Sequence, residues 1–203
     1  MKKVVFITSL VLAVLAYTGL AQAESYVSAY AGAVIPHDSD ADGGEVGYDA
    51  GFAAGLKGGH WFTERNAPYL GLELDVAVGF PKMSEVRPPT IPADVDLTGY
   101  ALMANALLRY PEGNIRPYGG VGLGWFFVNV DDGTIGGLLF TGDDASAFAW
   151  QLLAGVDLMI TPNVSLFAEY KYLASDLDFT FSGEDVTIDY RSSQVYGGVT
   201  YHF

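Results

Sequence analysis

The last nine residues, Val195–Phe203, read VYGGVTYHF and alternate with a period of two. Counting back from Phe203, Tyr201 and Val199 lie on an apolar face, whereas His202 lies on the other face, which is mostly polar or small. Because successive side chains of a strand point to opposite sides, this pattern predicts a β-strand with one apolar and one polar surface. The chain stops on an aromatic residue in the middle of that pattern.

The same alternation recurs along the chain and is clearest in Tyr69–Phe80. There the even positions from Leu70 onward are all large and apolar, whereas Glu73 and Asp75 lie on the opposite face. A strand in a soluble core would have to bury these carboxylates, which is unfavourable unless they are paired. Lipid on one side and a wet lumen on the other account for both faces, so the strand is predicted to span a membrane.

Eight segments carry this pattern, and an even number is expected when both ends of a bacterial barrel lie on one side. The predicted strands are Tyr26–Ile35 (whose facing is not assigned), Tyr48–Trp61, Tyr69–Phe80, Thr98–Tyr110, Tyr118–Val128, Phe148–Ile160, Val164–Tyr172 and Thr187–Phe203. The predicted fold class is therefore all-β: an eight-stranded antiparallel up-and-down transmembrane β-barrel, preceded by a cleaved helical signal peptide.

The links between these strands alternate strictly between short and long. The short links are Phe62–Ala67, Pro111–Arg116 and Thr161–Asn163, and the long links are Pro36–Gly47, Pro81–Asp96, Asn129–Ser146 and Leu173–Val186. Short turns belong at the periplasmic rim and long loops outside. Outward aromatic residues gather at both rims, as two interfacial girdles require. A soluble lipocalin-like barrel, the alternative, would turn its apolar face inward.

The N-terminus has the pattern of an export signal. Lys2 and Lys3 precede the apolar run Val4–Leu20, and Ala21-Gln22-Ala23 supplies a small-x-small cleavage motif. Residues 1–23 are therefore predicted to be a signal peptide, and residues 24–203 an outer-membrane β-barrel domain. An uncleaved anchor is the alternative, but the run of 17 residues is near the lower limit for a spanning helix. The absence of cysteine excludes disulfide scaffolds and thiol catalysis.

The formal net charge is −14, from 24 acidic and 10 basic residues. Seventeen of the acidic residues lie in or beside the four long links, so the external tip is anionic and binding of nucleic acid is disfavoured. In the first link, Asp38, Asp40 and Asp42 begin the D-x-D-x-D-G pattern of a calcium loop, and Asp49 occupies its twelfth position. These four residues are a weak calcium candidate, and simple solvation of an exposed loop is the competing explanation. No cofactor is predicted.

The lumen is predicted to be plugged by ion pairs. Lys57, Arg109 and Lys171 face it and must be paired, because unpaired charges are not stable when buried. Their candidate partners are Glu73, Asp75, Asp157 and Glu169. An eight-stranded barrel is just wide enough for side chains to fill its interior. A narrow conducting path is the alternative.

The chain is not predicted to be an enzyme. Hydrolysis of a lipid ester would need a serine, a histidine and an acid grouped near a membrane interface. His202 is about ten residues from Ser192 and Ser193 on its own strand, some 30 Å when extended. His37 falls in an acidic link and His60 near the periplasmic rim, and no outward-facing pair of serine and histidine is predicted.

Several stretches carry a resemblance to a known family. They are Asn105–Tyr110, Pro117–Gly124, Leu153–Val156, Thr161–Leu166, Glu169–Tyr172 and the terminal Phe203. These stretches resemble the small outer-membrane barrels that include opacity-type surface antigens and the OmpA-type transmembrane domain. The resemblance spans essentially residues 24–203 and implies integral insertion into the outer membrane.

The same resemblance implies a structural or surface-interaction role of the adhesin or antigen kind, and the alternative is a small porin-like channel or transporter for small solutes. Four kinds of partner are expected. They are outer-membrane lipid, lipopolysaccharide, the barrel-assembly machinery (through the C-terminal strand ending at Phe203), and host or cell-surface ligands of the long loops.

Overall fold

The computed structural model describes residues 24–41, 44–62, 69–87, 91–110, 112–130, 133–135, 138–140, 144–181 and 184–203. Its eight long strands are β1 (Glu24–Pro36), β2 (Gly44–Trp61), β3 (Leu70–Arg87), β4 (Ile91–Arg109), β5 (Ile115–Val130), β6 (Asp144–Thr161), β7 (Val164–Phe181) and β8 (Glu184–His202). Within the described ranges, no helix is long and apolar enough to cross a membrane. The predicted signal peptide, residues 1–23, lies outside them.

The eight strands form a closed barrel. Each long strand pairs antiparallel with its neighbours along the chain, and β8 pairs with β1. The closing ladder runs from Tyr26 opposite His202 to Pro36 opposite Ser192. Closure of this kind removes the free edges that an open sheet would expose. The predicted fold class, an eight-stranded antiparallel up-and-down barrel, is confirmed in these residues.

The stagger between strands fixes the tilt of the barrel. Following paired residues once around the barrel from Tyr26 leads back to β1 at Pro36, ten residues further along (36 − 26). With a rise of about 3.3 Å per residue and about 4.8 Å between strands, this stagger over eight strands corresponds to a tilt of about 40°. Membrane barrels have strand tilts of about 35–45°.

The outer wall carries an apolar band bounded by aromatic residues. On β3 the outward side chains run from Leu70 to Phe80, and these residues span about 25 Å along the barrel axis at a tilt of about 40°, as expected for a lipid-facing band. The outward aromatic residues are Phe52, Phe80, Tyr100, Trp125, Phe127, Phe148, Trp150 and Tyr170 toward the long-link rim, and Tyr110, Tyr201 and Phe203 toward the short-turn rim. The outward facing predicted for the two girdles is confirmed at these positions.

Beyond this band, toward the long links, the two faces of the wall exchange character. The outward positions just past the aromatic residues are polar. They are His37, Asp49, Thr98, Asn129, Ser146, Asp176 and Arg191. At the same level, Leu97, Val128 and Tyr190 are buried inside the barrel. Apolar side chains therefore point outward at the level of the apolar band and inward at the level where the outer wall is polar. This reversal marks the upper edge of the lipid-facing band.

The predicted long links were wrong in extent, because the strands continue well into them. The described part of β3 continues to Arg87 and β4 begins at Ile91, while β7 continues to Phe181 and β8 begins at Glu184. The sequence DLDFTF at 176–181 keeps a period of two, but its acidic residues favoured a loop in the prediction. Strand pairing there satisfies backbone donors and acceptors that a loop would leave to water.

The other two long links contain short strands. Ser39–Ala41 pairs with the start of β2, and Gly133–Ile135 pairs both with β4 and with Leu138–Phe140. Two of the short links are turns as predicted, with Gly113 at φ 81° in one and Pro162–Asn163 in the other. A positive φ is accessible to glycine without steric cost. Among the described residues, the strands extend furthest beyond their predicted ends on the long-link side.

Candidate functional site

A network of buried charged side chains fills the middle of the lumen. Lys57 Nζ lies 2.6 Å from Glu169 Oε2 and 3.5 Å from Glu73 Oε2. Lys171 pairs with Asp75, and its Nζ lies 3.4 Å from Glu169 Oε1. None of these five residues is more than 5% exposed. The predicted pairing of the two lysines is confirmed, and Glu169 links one lysine to the other.

Three tyrosine hydroxyls complete this network. The donor–acceptor pairs are Tyr26–Glu73 at 2.7 Å, Tyr30–Asp75, and Tyr118–Glu169 at 2.8 Å. Since three carboxylates face two ammonium groups, the lysines alone leave negative charge uncompensated. Buried carboxylates are tolerated only when hydrogen-bond donors surround them, and the hydroxyls supply these donors. The phenol rings come from β1 and β5, so the network joins five of the eight strands when β2, β3 and β7 are included.

A chain of side-chain amides extends the network to two further strands. Gln151 Nε2 donates to Asn105 Oδ1 at 2.7 Å, and Asn105 Nδ2 donates to Glu73 Oε1 at 2.9 Å. Gly122 lies between the two amides in register. A Cβ on Gly122 would lie 2.0 Å from Asn105 Oδ1. Glycine is therefore required here for the amides to meet across β5.

A second cluster of charged side chains lies in the lumen at the short-turn rim. The Arg109 guanidinium donates two hydrogen bonds to the Glu24 carboxylate, at 2.9 and 2.7 Å, and lies 4.2 Å from the centre of the Trp61 ring. His202 Nδ1 lies 2.8 Å from Glu24 Oε1. A two-pronged contact of this kind is the strongest form of arginine–carboxylate pair. The Glu24 carboxylate thus links β1, β4 and β8 at the short-turn end of the lumen.

This cluster corrects the predicted partner of Arg109. The four candidate carboxylates did not include Glu24, which the sequence suggested only as the first residue after the cleavage site. In the structure β1 begins at Glu24, opposite Trp61, and its carboxylate lies at the lumen mouth. Asp157, one of the four candidates, lies instead 3.5 Å from the Ser165 hydroxyl and forms no ion pair with a described residue.

The lumen beyond the charged network is packed with apolar and aromatic side chains. The rings of Phe126 and Tyr190 stack at a centroid distance of 4.8 Å. The buried residues around them are Ala101, Met103, Val128, Ala149 and Leu173. Two cavities lined by described residues of the barrel interior measure about 30 Å³ and 10 Å³. A single water needs about 10–15 Å³, so each of these two cavities has room for a few waters at most.

The outer wall holds two pairs of serine and histidine, contrary to the prediction that none faces outward. Near the long-link rim, His37 Nε2 lies 2.9 Å from Ser193 Oγ, which also lies 2.9 Å from the Tyr170 hydroxyl. Near the short-turn rim, Ser25 Oγ lies 3.0 Å from His60 Nδ1. The partners of each pair are far apart in the sequence, and register across β1 brings them together. In the described part of the chain, neither imidazole contacts a carboxylate that would orient it for nucleophilic catalysis.

The calcium candidate remains a prediction. Asp38 and Asp49 are exposed. Asp42 and the side chain of Asp40 lie outside the described residues. No group of three or more metal-ligating side chains occurs among the residues that were described. The stretch 39–41 pairs with β2 as a short strand.

The sequence did not predict that tyrosine hydroxyls donate hydrogen bonds to the buried carboxylates. Tyr26 and Tyr30 lie on β1, whose two faces are both small or apolar, so its facing could not be assigned. A usable signal was present in the terminal strand. Once His202 is placed in the lumen, pairing with β1 places Tyr26 beside it, and every second residue of β1 follows.

An apolar outer band, a strand tilt of about 40° and a filled interior define a small membrane-spanning β-barrel. The chain belongs to the family described as outer membrane protein beta-barrel domain, whose family model matches residues 5–203. The resemblance noted in the sequence is thereby confirmed. A search of curated proteins gives no match.

Solved structures of the same fold include three bacterial proteins. Neisserial surface protein A is 21% identical over 90% of this chain and 100% of its own, with a TM-score of 0.60. OprG from Pseudomonas aeruginosa is 17% identical over 90% and 96%, with a TM-score of 0.56. Ail, the attachment invasion locus protein of Yersinia pestis, in complex with the heparin analogue sucrose octasulfate, is 19% identical over 90% and 100%, with a TM-score of 0.52. At these identities the likeness concerns the fold alone.

Proposed function

We propose that this chain is an integral outer-membrane protein that acts through its external surface and conducts nothing through its lumen. Export through a signal peptide cleaved after residue 23 delivers it to the periplasm, where the strand ending at Phe203 addresses it to the barrel-assembly machinery. Its role is structural or adhesive, and it has no catalytic activity. The long-link side faces the outside of the cell.

The filled lumen is the observation that carries this proposal. Two ion-paired layers, around Lys57 and around Arg109, lie in series with the stacked rings of Phe126 and Tyr190. A channel would require all three to open together. The competing function, a small porin-like channel or transporter, needs a continuous path, whereas two lumen cavities lined by described residues measure only about 30 Å³ and 10 Å³.

The extended rim supports an external role. Strand pairs β3–β4 and β7–β8 continue past the apolar band as paired ladders, which presents a strand surface to the outside. Outward positions at this level include Asp49 and Asp176. Because 17 acidic residues lie in or beside the long links, this surface favours cationic partners and disfavours sulfated polyanions. The Ail structure contains a heparin analogue, and we expect the present chain to lack such binding.

Trimming the β7–β8 extension tests this role directly. Leu177 pairs with Ile188, so residues 178–187 are replaced by Asn-Gly, a two-residue turn suited to a hairpin. Cells that display the trimmed barrel should adhere several-fold less to host matrix proteins than cells that display the full chain. Neither form should bind heparin. Retention of the heat-dependent gel shift shows that the trimmed barrel is folded, and unchanged adhesion by a folded trimmed barrel contradicts an adhesive role for this hairpin.

A further inference from the structure

A hollow of about 340 Å³ lies in the barrel wall near the short-turn rim. The outward residues that line it are Ser25, Gly58, His60, Leu72, Leu74, Ala104 and Phe203. Leu72 and Phe203 are 56% and 61% exposed, as expected for side chains that face lipid. The hollow is more than ten times larger than either cavity inside the barrel.

Two adjacent glycines show that this hollow opens outward. A Cβ on Gly58 would have no neighbour closer than 3.6 Å, so the outer side of the wall is open there. A Cβ on Gly59 would lie 2.5 Å from the Tyr26 ring, which covers the inner side. The missing side chain of Gly58 therefore creates the space, and lipid-facing side chains of β3, β4 and the chain terminus form its sides.

A polar pair lies at the rim of this otherwise apolar hollow. Ser25 Oγ and His60 Nδ1 are 3.0 Å apart. If the hydroxyl donates to Nδ1, the imidazole keeps its proton on Nε2, and if Nδ1 donates, the hydroxyl proton is free. In either tautomer one hydrogen-bond donor is left over. Among the described residues, no acceptor takes it up.

We infer that this hollow binds one glycerophospholipid of the leaflet at the short-turn rim, which is the inner leaflet in the proposed orientation. An acyl segment fills the space above Gly58, and the spare donor of Ser25–His60 hydrogen-bonds to a phosphodiester or ester oxygen. Phospholipid headgroups carry many acceptors at this depth, so the chemistry is complementary. The inference rests on membrane insertion and is independent of whether the lumen conducts.

The polar pair is what makes the binding specific. Lipid tails are as apolar as leucine, so filling the hollow with an acyl chain brings little hydrophobic gain over leaving that chain among other tails. A hydrogen bond to a charged phosphate is worth more than a bond between neutral groups. Loss of the donor should therefore weaken binding even though the hollow is unchanged, and a side chain that fills the hollow should weaken binding by excluding the acyl segment.

Native mass spectrometry of the refolded full chain with dioleoyl phosphatidylethanolamine tests the inference. Gly58→Phe fills the hollow, and His60→Phe removes the spare donor. Gly197→Phe is the matched control, because Gly197 also faces outward and a Cβ there would have no neighbour closer than 3.9 Å. The wild type and the control should retain one lipid, whereas each test variant should bind about tenfold more weakly, as expected for loss of one such hydrogen bond or of the fit.

Two kinds of result would overturn the proposed lipid site. Equal retention by all four proteins, or equal loss in the Gly197→Phe control, overturns the site. Release of free fatty acid that depends on His60 also overturns it, because the pair would then act on an ester and not only bind it. The heat-dependent gel shift of each protein confirms that the comparison is made between folded barrels.

Discussion

Replacing Lys171 with methionine is expected to lower the free energy of unfolding by about 3–5 kcal/mol, the usual cost of removing one partner from a buried ion pair. The ammonium group pairs with Asp75 and lies 3.4 Å from Glu169, and Lys171 is 1% exposed. Methionine preserves most of the side-chain volume, so the decrease in the free energy of unfolding measures the effect of removing the charge. The three carboxylates of the network would then face one ammonium group, that of Lys57.

Urea unfolding in lipid vesicles, followed by the fluorescence of the three tryptophans, measures this effect. The double variant Lys171→Met with Asp75→Asn should recover much of the loss, because neither partner is then left charged and unpaired. Arg191→Met is the matched control. Its guanidinium pairs with Asp189 at 3.6 Å, and both side chains are about half exposed, so the loss should be below about 1 kcal/mol. A loss no larger for Lys171→Met than for Arg191→Met would contradict the network.

An arginine placed on the outer wall should destabilise the barrel according to its depth. Ala154 and Ser146 both face outward on β6, but Ala154 lies midway between the aromatic residue Phe148 and Ile160, whereas Ser146 lies beyond the band. Ala154→Arg is expected to cost about 2–4 kcal/mol, the value for a cation at the bilayer midplane, and Ser146→Arg about 0–1 kcal/mol.

The same vesicle unfolding measures both variants, and each introduces an identical side chain on the same strand and face. Repeating the pair in bilayers of a longer lipid should raise the cost at position 146, since a thicker hydrocarbon layer reaches further along β6. Equal costs at positions 154 and 146 in the original bilayer would mean that the reversal of polarity on the wall does not mark the edge of the lipid.

Strand pattern was the part of the fold that could be predicted. In Leu70–Phe80 the two faces differ so strongly that a period of two is sufficient to assign a lipid side and a lumen side. The same rule assigns Phe203 and His202 to opposite faces. It gives no answer for β1, whose residues are small on both sides, because alternation carries information only where the two surroundings differ.

The extent of the strands could not be predicted, because the outer face of one strand passes from lipid to water along its length. In 176–181 the alternation continues, but Asp176 occupies an outward position. An acidic residue where a lipid-facing residue is expected favours a loop. At this level the outer face contacts water and the inner face contacts packed rings such as that of Tyr190. The strand therefore keeps its period of two, but its polar face points outward and its apolar face points inward. A search for inverted alternation next to a predicted membrane strand would have found these extensions.

The partners within the lumen were predicted only where both charges lie on strands with clear facing. Lys57 and Lys171 could be matched with carboxylates by charge balance, because unpaired charges are costly inside a barrel. Glu24 could not, since its role depends on the residue at which β1 begins. The outward pairs Ser25–His60 and His37–Ser193 depend on register across three strands, which a single sequence does not specify.

The central claim is that the lumen is closed by side chains, and planar-bilayer recording of the refolded full chain tests it most directly. Flotation with vesicles and a heat-dependent gel shift first establish that the protein is inserted and folded. We expect no unitary current steps above the bare-membrane baseline in concentrated KCl, because ion pairs around Glu24 and Glu169 and stacked rings at Phe126 lie in series along the axis. Reproducible unitary conductance from the folded, inserted wild type would contradict the account.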